Sequence, residues 1–333
     1  MATHSARITW ITALTLGALC EGAFAQARID SATQRIDRVE RTGLQPRLQT
    51  PASQEISPLY EEEEKDIGPQ HLILQKPRHP WIEASGDIQF GSTSNVYLSE
   101  DATADSSLMT STLQLAITPP AWKLDAGELS AKAGYRHQKF NYGIATGGNE
   151  SSLNDVDFDI SSLFFQGSFL YHEKWLATLG LEHNRLLNAS GGSYDEFYTE
   201  FAPSLSLSRN FALTQKSALS TTLAVGTHLS RVDAAPSNAY DRVDETATVS
   251  YVAEILPRTL FQSYYRAQFT QYTRIQSRRD LVHTVGVGLS FALCKSASLR
   301  ISATFESRDS SEPTVADYHK LDTGLGSSLR LAF

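Results

Sequence analysis

The chain has 333 residues, 41% hydrophobic and 20% charged, with 37 acidic against 29 basic side chains and a formal charge of −8 at neutral pH. An acidic balance with a pI near 5.6 argues against nucleic acid as a partner, because phosphate backbones call for surplus Lys and Arg. A mean hydropathy of −0.27 with one long apolar run excludes a helical membrane protein.

That run comes first. "ITWITALTLGALC" follows Arg7 and precedes Ala23-x-Ala25, which predicts a secretory signal peptide over residues 1–25, cut before Gln26. A lipid-accepting role for Cys20 is disfavoured, because Leu19 stands where a small residue is needed. Cleavage removes Cys20 and leaves Cys294 alone, so no intramolecular disulfide is expected in an oxidising compartment.

Residues 26–80 read as a flexible periplasmic arm. "ARIDSATQRIDRVER" could form a short helix with Ile29, Ile36 and Val39 on one side. The stretch after it carries prolines, the acidic run Glu61 to Glu64 and little that could build a core.

From Trp81 the period changes to two and stays there to Phe333. Strands are predicted at 81–98, 106–118, 121–142, 156–171, 174–187, 196–209, 217–232, 246–256, 258–273, 281–294, 296–309 and 318–333. The connectors "TPPA", "HEK", "LPR" and "CKS" are short. By contrast "GIATGGNESSLND", "DAAPSNAYDRVDE" and "DSSEPTVADYH" are long, polar and rich in turn residues. About twelve strands, trimmed at one end and elaborated at the other, predict an all-β, closed antiparallel transmembrane β-barrel over residues 81–333.

The composition of the two faces chooses lipid over water. In 281–294, Val285, Val287, Leu289, Phe291 and Leu293 oppose Thr284, Gly286, Gly288, Ser290 and Ala292. In 217–232, Leu219, Leu223, Val225 and Leu229 oppose Ser220, Thr222, Ala224, Gly226 and His228. A soluble exterior is about a quarter to a third charged, whereas small uncharged faces suit the crowded inside of a curved wall. The bulky face is therefore expected outside. Trp122, Tyr171 and Trp175 near the short turns, and Tyr97, Tyr135, Phe197, Tyr272 and Phe305 toward the long loops, are expected to form interfacial girdles. An open edge would leave peptide groups unpaired in lipid, so the first and last strands must pair.

The closing segment "GLGSSLRLAF" alternates apolar and small residues up to Phe333. With Gly326, Leu329, Leu331 and Phe333 it resembles the recognition signal of bacterial outer-membrane proteins, which implies an outer-membrane location and contact with the machinery that folds such proteins into lipid. "SNVYLSED" in the first strand is similar to an opening strand of proteobacterial β-barrel families with porin-like or exopolysaccharide-related functions.

The inner face is expected to carry Asp87, Lys132, Arg136, Glu182, Glu200, Glu254, Arg266, Arg300, Glu306 and Arg330, five of each sign. Arg266, Arg300 and Arg330 are expected to face Glu182, Glu200 and Glu254. The balance lacks the basic excess of a channel for acidic oligosaccharides. The favoured function is a narrow passive diffusion channel for small solutes. The alternative is a membrane anchor or component of an envelope or polysaccharide-export assembly, with a periplasmic partner bound through residues 26–80. No cofactor, metal or catalytic residue is assigned. His183, His228 and His283 stand isolated, and no phosphate loop, HExxH or clustered Cys/His spacing occurs.

Overall fold

The computed structural model describes residues 80–100, 104–144, 156–188, 194–232, 240–274, 278–313 and 315–333. The expected signal peptide at 1–25 and the expected arm at 26–80, apart from Pro80, lie outside the described residues. The chain forms β1 (Ile82–Thr93), β2 (Ser106–Ile117), β3 (Trp122–Leu124), β4 (Gly127–Tyr142), β5 (Phe158–Tyr171), β6 (Trp175–Asn188), β7 (Glu196–Thr214), β8 (Ser217–Val232), β9 (Arg242–Leu256), β10 (Thr259–Tyr272), β11 (Arg279–Ala292), β12 (Ala297–Ser310) and β13 (Tyr318–Ala332).

Every segment from β4 onward pairs antiparallel with the next, and β1 pairs with both β2 and β13. β2 and β3 run along the same neighbour, β4, and so make one wall strand. The result is a closed antiparallel barrel of twelve wall strands. Closure runs from Glu83 opposite Ala332 to Thr93 opposite Asp322, and Phe333 N–H donates to the Ile82 carbonyl at 2.9 Å. The end of the chain is thus hydrogen-bonded into the wall.

Some boundaries differ from the sequence reading. "TPPA" is not a turn: its two prolines only interrupt the ladder between β2 and β3, because they lack the N–H a continuous strand donates. The reversal comes at Asp125–Ala126, so the expected strand 121–142 is divided between two wall strands. β7 runs on to Thr214, and β9 begins at Arg242 inside what reads as a loop. Local turn chemistry explains other reversals. His172 and Glu173 both take positive φ in the three-residue connection between the paired Tyr171 and Trp175, and Pro257 sets up Arg258 at φ 65°.

One glycine is required at the seam. A Cβ on Gly91 would lie 1.9 Å from the Thr323 carbonyl oxygen across the closing pair. Gly91→Val is expected to cost about 1–3 kcal/mol and to weaken closure, measured as a lower urea midpoint and loss of the heat-shifted gel band of the folded barrel.

The largest apolar cluster sits inside the barrel, at its long-loop end. Phe140, Tyr142, Phe158, Ile160, Leu186, Tyr198 and Val232 project inward from β4 to β8 and pack with Val96 from the β1–β2 connection. Phe140 and Phe158 stack with centroids 4.8 Å apart.

Candidate functional site

Alternation assigns each wall residue to one side. On β11 and β8, Val287 and Leu223 are 46% and 66% exposed on the outer wall, while Thr284 and Ser220 of the same strands are buried on the inner one. Leu325, Leu329, Leu331 and Phe333 also point outward. Inside, Glu200 and Glu306 are each 1% exposed. An aliphatic and aromatic exterior around a charged interior is stable only where the surroundings are less polar than the centre. The chain is a membrane-spanning β-barrel.

The barrel interior divides into two zones. In the short-turn half is a cavity of about 500 Å³ walled by Ser, Thr, Gly and Ala and by ion pairs. At its rim Glu83 accepts from Lys132 Nζ at 3.0 Å and from Arg330 at 2.5 Å. Further in, Arg136 meets Glu182 at 3.0 Å and Arg300 meets Asp87 at 3.7 Å. His228 and Asp244 also line this cavity, at the start of the filled half.

The long-loop half holds two carboxylate-centred clusters. Glu200 accepts from Tyr198 at 2.7 Å and Asn184 at 3.1 Å, and His228 Nδ1 and Arg242 lie 3.2 and 3.6 Å from it. Asp244 holds the other side of the same pair, 3.2 Å from His228 Nε2 and 3.5 Å from Arg242 Nε. On another part of the wall Glu306 accepts from Tyr318 at 2.9 Å and pairs with Lys320 at 3.2 Å and Arg266 at 3.8 Å. Nearer the rim, Arg278 lies over the Tyr272 ring at 4.1 Å and pairs with Asp280 at 2.5 Å. Glu200, Glu306 and Asp280 accept hydrogen bonds and Asp244 is held by two cations, so each buried carboxylate has the countercharge under which burial is tolerated.

Nine of the ten expected interior charges join these pairs. Glu254 is half-buried near the short turns and forms no ion pair among the described residues. The expected opposition across the lumen is corrected: Arg266, Arg300 and Arg330 meet Glu306, Asp87 and Glu83 rather than Glu182, Glu200 and Glu254. β13 pairs with β1, β12 lies one strand beyond it, and Arg266 on β10 is two strands from Glu306 on β12, so these shorter reaches compete successfully. The sequence reading missed Glu83, Arg242, Asp244 and Lys320. Continuing the alternation of β9 back through Thr246 places Asp244 and Arg242 inward, and the parity of Arg330 places Lys320 inward.

The girdles are partly corrected. Trp122, Tyr171 and Trp175 are exposed outward near the short turns, as are Tyr135 and Phe305 toward the loops. Tyr97 and Phe197 instead pack against the internal apolar cluster, and Tyr272 turns inward under Arg278. Of the sequence-flagged histidines, His228 is buried in the Glu200 cluster and His283 Nδ1 meets Tyr265 Oη at 2.8 Å. Cys294 is a free, exposed thiol.

No family model matches this chain, and no curated protein matches it. Among solved structures it is similar to an outer membrane channel from Pseudomonas putida F1, with 11% identity and a TM-score of 0.49 over 77% of this chain and 97% of that one. It is also similar to the β domain of the Bordetella autotransporter BrkA, at 15% identity and TM-score 0.41 over 76% and 99% of the two chains. The NanC porin matches at 10% identity and TM-score 0.44 over 74% and 100%. At these values the likenesses assign no activity.

Proposed function

We propose that this barrel is a narrow passive channel of the bacterial outer membrane for small solutes, with its conductance limited by the charged and apolar layers of the long-loop half. The observation that carries the reading is the cavity of about 500 Å³ in the short-turn half, lined by charged side chains of both signs. A wall serving only as an anchor has no need of an internal cavity lined by charge, and a lining of mixed sign favours small solutes of no particular charge. Because the layers beyond the cavity are buried, passage requires their side chains to move apart. Export through the 1–25 segment, and assembly through Gly326, Leu329, Leu331 and Phe333, complete the proposal.

The test is conductance in planar bilayers. Folded protein is expected to give small single-channel steps with weak ion selectivity, and Phe158→Ala with Tyr198→Ala is expected to enlarge them. Silence from both proteins defeats the channel reading. A second reading, an anchor that works through residues 26–80, is favoured by the filled long-loop half. Deleting residues 26–75 separates the two: changed conductance with unchanged partner recovery supports the channel, and the reverse supports the anchor.

A further inference from the structure

The outer wall carries a cluster that neither the lumen nor the folding argument uses. His137 on β4 and Ser161 on β5 are directly opposed across the ladder, and Asp159 lies two residues from Ser161 on the same outward face. His137 Nδ1 is 3.2 Å from Ser161 Oγ, and His137 Nε2 is 3.4 Å from Asp159 Oδ2. Carboxylate, imidazole and hydroxyl therefore stand in series, each within reach of the next. Asp159 is 2% exposed although it belongs to the outward face, and its Oδ1 has no hydrogen-bond partner. The His137 ring is 36% exposed, so the carboxylate is shielded while the base and hydroxyl are open to the membrane side.

Depth gives the cluster its meaning. Along β5 the outward residues run Phe169, Gly167, Phe165, Leu163, Ser161 and Asp159, and along β4 they run Ala133, Tyr135, His137 and Lys139. The change from apolar to polar falls at one level on both strands, between Leu163 and Ser161 and between Tyr135 and His137. Ser161 is ten residues from Tyr171 at the opposite girdle. At about 3.3 Å per residue and a tilt of about 45°, that distance spans roughly 23 Å of membrane, close to the height of the apolar band of such barrels. Ser161 thus stands where acyl chains end and the ester groups of membrane lipids begin.

We propose that Ser161, His137 and Asp159 form a hydrolytic site on the outer wall, acting on the carboxylic esters of membrane lipids. The buried carboxylate accepts from Nε2–H and so leaves the Nδ1 lone pair free for the Ser161 hydroxyl proton. Ser161 Oγ attacks the ester carbonyl carbon while its proton passes to His137, and the tetrahedral intermediate expels the lipid alkoxide, which takes that proton. Water, deprotonated by His137, then cleaves the acyl-serine, releasing the fatty acid and restoring Ser161. Tyr135 Oη lies 3.1 Å from Ser161 Oγ, and Arg185 is opposite Ser161 in the ladder on the other side, its Nε holding Glu196 at 2.5 Å. Tyr135 thus sets a hydroxyl beside the attacking oxygen, and Arg185, paired with Glu196, stands on the neighbouring strand. An interfacial polar patch needs no such order of groups; a nucleophile with an oriented base does.

The experiment uses the full mature protein, its folding verified by heat-shifted gel mobility. One arm measures fatty acid release from phosphatidylethanolamine and phosphatidylglycerol vesicles, and the other measures covalent labelling by a fluorophosphonate. Wild type is expected to release fatty acid and take the label. Ser161→Ala should lose the label and at least about 10³-fold of the rate, and Asp159→Asn should lose rate while keeping the folded band. Release by folded wild type no faster than by Ser161→Ala overturns the proposal, as does labelling that persists in Ser161→Ala. Channel steps unchanged in Ser161→Ala keep this result separate from the conductance reading.

Discussion

Arg242→Leu is expected to lower the stability of the folded barrel by about 3–5 kcal/mol, because it removes a cation shared by two buried carboxylates. Arg242 Nη1 lies 3.6 Å from Glu200 and Nε 3.5 Å from Asp244, and all three side chains are nearly sealed from solvent. His228 bridges the same two carboxylates and cannot replace the lost charge while balancing both. Leucine fills part of the space but offers no donor. Urea unfolding in detergent micelles, followed by tryptophan fluorescence, measures the loss. Adding Glu200→Gln to Arg242→Leu should recover part of it, since one uncompensated charge is then gone. A single variant as stable as wild type would mean that Glu200 and Asp244 are satisfied without Arg242.

Val287→Arg is expected to destabilise the barrel by about 2–4 kcal/mol, the cost of placing a guanidinium near the middle of the hydrocarbon on a lipid-facing wall. Val287 lies in the interior of β11 (Arg279–Ala292) and is 46% exposed on the outer side. In a water-soluble barrel the same substitution at an exposed valine would change little. The size of the effect therefore reports which solvent surrounds the wall. Refolding into phospholipid vesicles, with the urea midpoint as the readout, measures it, and Leu223→Arg on β8 should behave alike because Leu223 is 66% exposed.

The proposed wall site and the lumen place different demands on a sequence reader. The lumen charges share the parity of their strands, so they can be assigned by counting once a strand is recognised. Arg242 and Asp244 escaped only because "DAAPSNAYDRVDE" has the composition of a loop, whereas hydrogen bonding carries β9 back through "RVDE". The Ser161, His137 and Asp159 cluster has no linear signature. Its base and nucleophile are 24 positions apart, and only the β4–β5 register sets them side by side.

What the sequence by itself determined is the wall: alternating bulky and small residues, about twelve such segments, and a last segment apolar enough to seal against the first. Those features are local, because side-chain direction in a strand follows from parity alone. Only the tertiary structure decided which charges meet. Parity places Arg266 inside but cannot choose Glu306 over Glu200. That choice depends on closure, register and the reach of each side chain across a curved wall, which exist only when all twelve strands are paired.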